Sequence, residues 1–323
     1  MENVFLSTYK IRVKNRGADK HALIGQFNGK DDFLPEVVNF LNDIFETPIQ
    51  VGNEDERNTN LNLTLKSPPT VLHAERTVYG YFDAGIFGQE ITVKNRHTKT
   101  EVFKGDRDIH GLYRYIFFYI KLPYNSDSGY LILQKRSRFG IKSAFTYLLK
   151  KWIRQRGYQE SYISINAVLS GSIFNKMLSL GRLKKIDFVV NYIPDDIKDF
   201  HSNDSNPSLT AGSMTTTIES KNGLSNSWIN FAKLQYLRED RKTLVEFDGE
   251  EKEYDEIQFE VELNGRRKTF YANKRDRTVP DLDVSDEVDK DRRTGEPILE
   301  SLVKKCNEII EDVFETKPDV SPY

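Results

Sequence analysis

Three observations on this 323-residue sequence predict an α+β fold, with mixed or antiparallel sheets and a few packed helices. Short alternating or β-branched runs recur along the chain. Amphipathic helical stretches are few and scattered among them. Asn264-Gly265 joins two alternating runs, the strongest short-range hairpin signal. With 38% hydrophobic and 30% charged residues, the chain is globular but polar. Its length suits one large domain or two modest ones.

Residues 3–13 alternate as a strand. Pro35 opens a helix whose apolar face carries Phe33, Val37, Phe40, Leu41 and Ile44; proline is tolerated there because its missing N–H had no helical partner. Residues 61–66 alternate like an edge strand, and residues 77–82 and 90–94 read as further strands. Residues 112–123 are too rich in β-branched and aromatic side chains, and too short, for anything but a buried strand. A turn at 125–129 leads to the strand 130–134. Ile141, Phe145, Leu148, Leu149 and Trp152 then form a helical stripe that Gly157 is placed to stop. A strand (161–167), a short helix closed by Gly181 and a strand (183–192) follow. Trp228, Phe231, Leu234 and Leu237 mark a helix, 243–247 a strand, and Ile298, Leu302, Cys306, Ile309 and Val313 a last helix.

The expected organisation is an α+β domain over residues 1–200, a polar loop or linker over 201–227, and an acidic section over 228–323. No internal repeat is visible. No run approaches the ~18 apolar residues of a membrane span, and the N-terminus has no secretory pattern. The single cysteine, Cys306, excludes an intrachain disulfide and a cysteine-based zinc site; it reads as buried filler. A reducing, cytoplasmic location is the expectation.

Charge is unevenly spread. Between residues 128 and 186 stand twelve Lys or Arg and one acid, Glu160, so this segment carries +11 in a chain of net −2. Acids gather late: eight against one Lys over 248–262, and six against one Lys over 281–291. The basic segment is an electrostatic footprint for a polyanion, and the acidic sections are expected to shield or position it rather than bind metal.

Catalytic motifs are scarce. Gly25 to Lys30 has the wrong glycine spacing for a phosphate loop, and Asp31 stands where Ser or Thr should reach magnesium. His97-Thr98-Lys99 lacks the rest of a phospholipase D signature, and no nucleophile elbow occurs. The best nuclease candidate is Glu260 and Glu262 with Lys268, since metal-dependent nucleases need paired carboxylates and often a lysine on adjacent strands. Alternating glutamates on a solvated hairpin give the same pattern, so no cofactor, metal or catalytic centre is expected.

The basic run is the candidate site. Lys135, Arg136 and Arg138 occupy the turn between a strand and a helix and are expected to face solvent, beside backbone N–H groups that favour phosphate. Lys142, Lys150, Lys151, Arg154 and Arg156 extend the patch along the helix. Tyr130, Phe139 and Tyr158 border it as possible base-stacking rings. An ordinary amphipathic helix explains the stripe, but not the absence of acids between Ser128 and Gln159, because helical surfaces usually mix signs.

The run VFLSTYK, then FLPEVVNFLNDIF, ERTVYG, a strand ending KLP, a helix and LGRLKKIDFVVNYIPDDIKDF resembles the RexA-type exclusion proteins of phage lambda over residues 1–200. More loosely, the chain is similar to DNA-binding subunits of anti-phage systems such as Kiwa. The resemblance implies an RdgC-like α+β fold, non-sequence-specific DNA binding, a homodimer and a membrane or effector protein partner. DNA is then expected ahead of RNA. The acidic residues 240–323 depart from the family. A metal-dependent nuclease of such a system, and an interaction module for an acidic partner, are the competing readings.

Overall fold

A computed structural model describes residues 3–46, 49–51, 61–88, 90–107, 109–136, 140–168, 171–190, 213–237, 243–247, 250–263, 266–272 and 281–311. In chain order the elements begin with β1 (Phe5–Asn15), α1 (Phe33–Glu46), β2 (Ile49–Val51), β3 (Leu61–Leu65), β4 (Thr70–Leu72) and β5 (Thr77–Ile86). Then come β6 (Ile91–Lys94), β7 (Glu101–Gly105), β8 (Leu112–Lys121), β9 (Gly129–Lys135), α2 (Lys142–Gln155) and β10 (Ser161–Ala167). The next stretch holds α3 (Gly171–Leu180), β11 (Arg182–Val190), β12 (Met214–Glu219) and α4 (Asn226–Leu237). Four further strands follow: β13 (Thr243–Phe247), β14 (Glu250–Tyr254), β15 (Glu256–Leu263) and β16 (Arg266–Tyr271). The last elements are β17 (Asp281–Asp283) and α5 (Leu299–Ile310). The α+β expectation is met.

The chain forms two compact units. One joins residues 1–166 with 281–310, and the other holds residues 167–280. The break expected near residue 200 therefore falls at 166, and much of the section expected to stand apart returns to the first unit. The reason is pairing at long range: Phe5, Leu6 and Ser7 of β1 register with Asp283, Leu282 and Asp281 of β17. Helix α5 then buries Leu302, Cys306, Ile309 and Ile310. Within the expected linker, residues 213–227 carry β12 and the start of α4, while 201–212 lie outside the described residues.

The first unit is built on a sheet of order β10-β1-β9-β8-β5-β3-β2, with β17 beside β1 and β4 beside β5. The pairs β1–β9, β9–β8, β8–β5, β5–β3 and β3–β2 are antiparallel. Thus β3, read as an edge from its alternation, is covered by the short β2. One face packs against α1 and α2 through an aromatic cluster. Phe82 lies 4.5 Å from Phe118 and 5.7 Å from Phe145, while Phe40 of α1 meets Phe145 at 5.9 Å and Trp152 at 6.0 Å. On the other face, Tyr119 donates through its hydroxyl to Asn307 of α5. β6 and β7 form a separate hairpin.

The second unit carries an antiparallel sheet of order β12-β11-β15-β16. Its core centres on Phe174 of α3, stacked on Tyr236 of α4 at 4.0 Å and meeting Phe259 and Phe270. β15 and β16 pair up to Leu263 and Arg266, the hairpin the sequence predicts, although Asn264 and Gly265 lie outside the described residues.

Candidate nucleic-acid interface

The +11 segment is divided between the units at residue 166, so it does not form one continuous element of structure. In the second unit, Lys184 is buried, pairs with Glu262 at 3.5 Å and donates to the Lys221 carbonyl. Lys185 pairs with Asp187 at 2.8 Å. These cations are matched locally.

In the first unit the site is α2. Ala144, Phe145, Leu148, Leu149, Trp152 and Ile153 are buried at helical spacing, which fixes the rotation of the helix and turns Lys150, Lys151 and Arg154 to solvent. The helix ends in a complete Schellman motif. Gly157 N–H donates to the Arg154 carbonyl at 3.1 Å and Tyr158 N–H to the Ile153 carbonyl at 3.2 Å. Gly157 sits at φ +94°, where a Cβ would be strained.

The predicted residues fall into two groups. Lys150, Lys151 and Arg154 are exposed within about one helical turn and have no carboxylate partner among the described residues. Lys142, half-buried one face over, is held below the usual lysine range by burial and then by repulsion from Lys150. The second group is matched. Lys135 Nζ lies 2.7 Å from Asp281 Oδ2. Arg136 grips Glu296 with both terminal nitrogens and is only 14% exposed, so this residue, which sequence reasoning sends to solvent, is held by the late acidic segment. Arg156 lies over the Trp152 ring at 5.4 Å, with Glu36 at 3.8 Å. Arg138 and Phe139 lie outside the described residues.

The bordering aromatics do other things. Tyr158 packs edge-on against Phe27 at 4.9 Å, with its hydroxyl toward Glu36 and Asp31. Burial first, and then those carboxylates, push its phenol up. Tyr130 pairs with Lys10 and Lys121 and alternates with buried Leu131, which places it on the sheet face away from α2. There it sits beside Lys10, on the face that Lys10 shares with Arg12 and Lys14, a row that sequence reasoning passes over. Its signal is three cations at alternate positions of a strand.

The nuclease candidate is separated by register. Glu260 and Glu262 share one face of β15, but Lys268 pairs with Val261 and so belongs to the other face. Arg267 takes the place expected of metal, lying 2.9 Å from Glu260 and 3.8 Å from Glu262. No cluster of His, Cys, Asp and Glu that could hold a metal occurs among the described residues. No helix among them is long and apolar enough to cross a membrane.

No known family model matches the chain, and no curated protein matches it.

Proposed function

We propose that this protein binds DNA without sequence preference, through the exposed basic face of α2. The observation that supports this reading is the unmatched trio Lys150, Lys151 and Arg154, beside cations that the fold does match. A fold gains nothing from grouping three unpaired cations in one turn, and like charges at helical spacing cost a few tenths of a kcal/mol per pair. A phosphate backbone offsets that repulsion. Affinity arises from phosphate contacts, and base edges are left unread.

The RexA-like resemblance of residues 1–200 extends the proposal to a cytoplasmic homodimer serving phage exclusion with a membrane or effector partner. DNA binding is the activity of the protein in this reading, with no catalytic step of its own.

The test is fluorescence anisotropy on two duplexes of unrelated sequence across a salt series. If about five phosphates are neutralised, log affinity falls against log salt with a slope of roughly −4 to −5. Replacing Lys150, Lys151 and Arg154 by Ala reduces the slope by about 2 to 3 and weakens both duplexes alike. A slope near zero for the parent protein sinks the proposal.

A further inference from the structure

We propose a second nucleic-acid site on the open sheet face of the first unit, opposite α1 and α2: a platform for single-stranded DNA formed by Lys10, Arg12, Lys14, Lys121, Tyr130 and Tyr162. It is a different surface from the α2 face and does not rest on that reading.

The row follows from strand alternation. Tyr9, Ile11 and Val13 of β1 are buried toward the helices, so Lys10, Arg12 and Lys14 point the other way. Cross-strand register sets Tyr130 beside Lys10 and Lys121 beside Tyr130. On β10, the strand next to β1, Ile163 and Ile165 are buried and Tyr162 between them and Ser161 is 50% exposed. Helix α5 meets this face at Tyr119, and Leu6, Thr8 and Ile132 are buried on the same face. At the other end Lys14 and Tyr162 are exposed, and Lys10, Arg12, Lys121 and Tyr130 are half-exposed.

Arg12 carries the argument. Its Nε donates to Ser128 Oγ at 3.1 Å, which fixes the plane of the guanidinium. Its two Nη groups have no partner among the described residues, so a positioned fork of donors is presented without an anion. Lys10 on the same face repels it, and burial together with that repulsion lowers the Lys10 amine. Asp127 is the carboxylate that faces this pair, and its Oδ1 is occupied by the Ser128 hydroxyl at 2.6 Å. Like charges at alternate positions of a strand destabilise it unless an anion joins them.

The occupant is a single strand because the cations of β1 and β8 share this face with the part-buried ring of Tyr130 and the exposed ring of Tyr162 on neighbouring strands. Residues two apart on a strand are separated by about 7 Å, which suits successive phosphates of an extended chain, and ring faces accept unstacked bases of any identity. DNA is chosen over RNA because the two serine hydroxyls bordering the row are already spent. Ser128 Oγ serves Arg12 and Asp127, and Ser164 Oγ donates to the Arg12 carbonyl at 3.4 Å. Recognition of a 2′-hydroxyl needs such groups free.

The test is anisotropy with a labelled oligo-dT 15-mer and an abasic 15-mer of the same backbone. Tyr162→Ala is expected to weaken oligo-dT by about 5- to 50-fold and to leave the abasic strand nearly unchanged. Arg12→Gln with Lys14→Gln is expected to weaken both strands and to reduce the salt slope by about 1.4, at roughly 0.7 per phosphate contact on a single strand. Circular dichroism checks folding. If the double variant unfolds, the exposed single variants Lys14→Gln and Tyr162→Ala decide the matter alone.

The α2 triple-Ala variant separates the two proposals. Retained oligo-dT binding supports the sheet site. Oligo-dT binding lost in that variant, yet unaffected at Arg12, Lys14 and Tyr162, overturns the sheet site and leaves the α2 reading standing. Tighter binding of the matching ribonucleotide, or equal competition by polyglutamate, also overturns it in favour of RNA or an acidic protein.

Discussion

Lys135 and Asp281 meet at 2.7 Å although 146 residues separate them. Asp281 also accepts from Ser7 Oγ at 2.8 Å, so the pair ties β9, β1 and β17 together. One residue on, Arg136 holds Glu296. Lys135 and Arg136 are therefore members of structural ion pairs at the end of β9. Replacing Lys135 and Arg136 together by Ala is expected to lower stability by about 1–3 kcal/mol, because Arg136 is largely buried while Lys135 is partly screened by water. Urea denaturation measures this. An unchanged midpoint would mean that the pairs contribute nothing and that both cations remain available to a ligand.

The same contacts bear on the acidic C-terminal section. Shielding of the basic face suggests that removing residues 281–323 would expose more cation and strengthen DNA binding. Loss of β17 and α5 would also uncover Leu6 and Tyr119 and remove four buried side chains of the helix. Truncation is expected to unfold the first unit, seen as loss of its cooperative thermal transition. A truncated chain that melts cooperatively near the parent's temperature would show that α5 is dispensable.

Helix α2 offers an internal contrast. Leu148 and Trp152 are buried, the latter against Phe40, while Lys151 between them in sequence faces water. Leu148→Ala or Trp152→Ala is expected to cost about 2–5 kcal/mol through lost burial and the cavity left behind. Lys151→Ala is expected to stay within about 0.5 kcal/mol. Comparable losses for Leu148 and Lys151 would mean that the helix is rotated from the orientation described.

Asp32 couples stability to acid. It precedes α1, accepts the Leu34 N–H at 3.1 Å, and binds Arg76 through two bonds of 2.6 and 2.8 Å. Burial alone would raise its carboxyl, but Arg76 and the helix N–H groups outweigh burial and hold it below the usual range. A depressed carboxyl stabilises the fold fully above its unfolded value of about 3.9 and loses that contribution as pH falls through the lower folded value. Asp32→Asn is expected to cost about 1–2 kcal/mol at pH 7, because it removes the carboxylate charge that faces Arg76 while leaving an equivalent cap. The gap between variant and parent should narrow in acid below the folded value. A gap independent of pH would show that the charge of Asp32 is not the stabilising feature.

What was legible in the sequence was local. The apolar stripes of α1, α2 and α5 are written at helical spacing, and β1, β8 and β9 in alternation and β-branched runs. The capping glycine after α2 is equally plain. β17 was not legible, because three residues of mixed polarity become a strand only when β1 offers an edge. The same reason hides the carboxylates that meet Lys135 and Arg136. A net charge summed over a window counts cations without their partners, so the run over 128–186 looks more uniform than it is. Lys10, Arg12 and Lys14 show the converse: three charges in thirteen residues draw no attention until alternation puts them on one face.

Cys306 supplies a probe of the element that the sequence assigned to a separate section. Its side chain is wholly buried on α5, beside Tyr119. Burial pushes the thiol well above its ordinary value, and the neighbouring Lys305 only partly opposes this. Thiol reagents attack the thiolate, so the native protein is expected to label very slowly at pH 8. Lys305 is itself held by Glu287 and Glu308, the latter at 2.9 Å, and cannot swing in to activate the sulfur without breaking those pairs. Labelling must then await the opening of α5. The rate should rise with urea along the same curve as global unfolding of the first unit, because the helix packs on the central sheet. Single labelling within minutes in buffer, with the thermal midpoint unchanged, would show that α5 opens independently of the sheet.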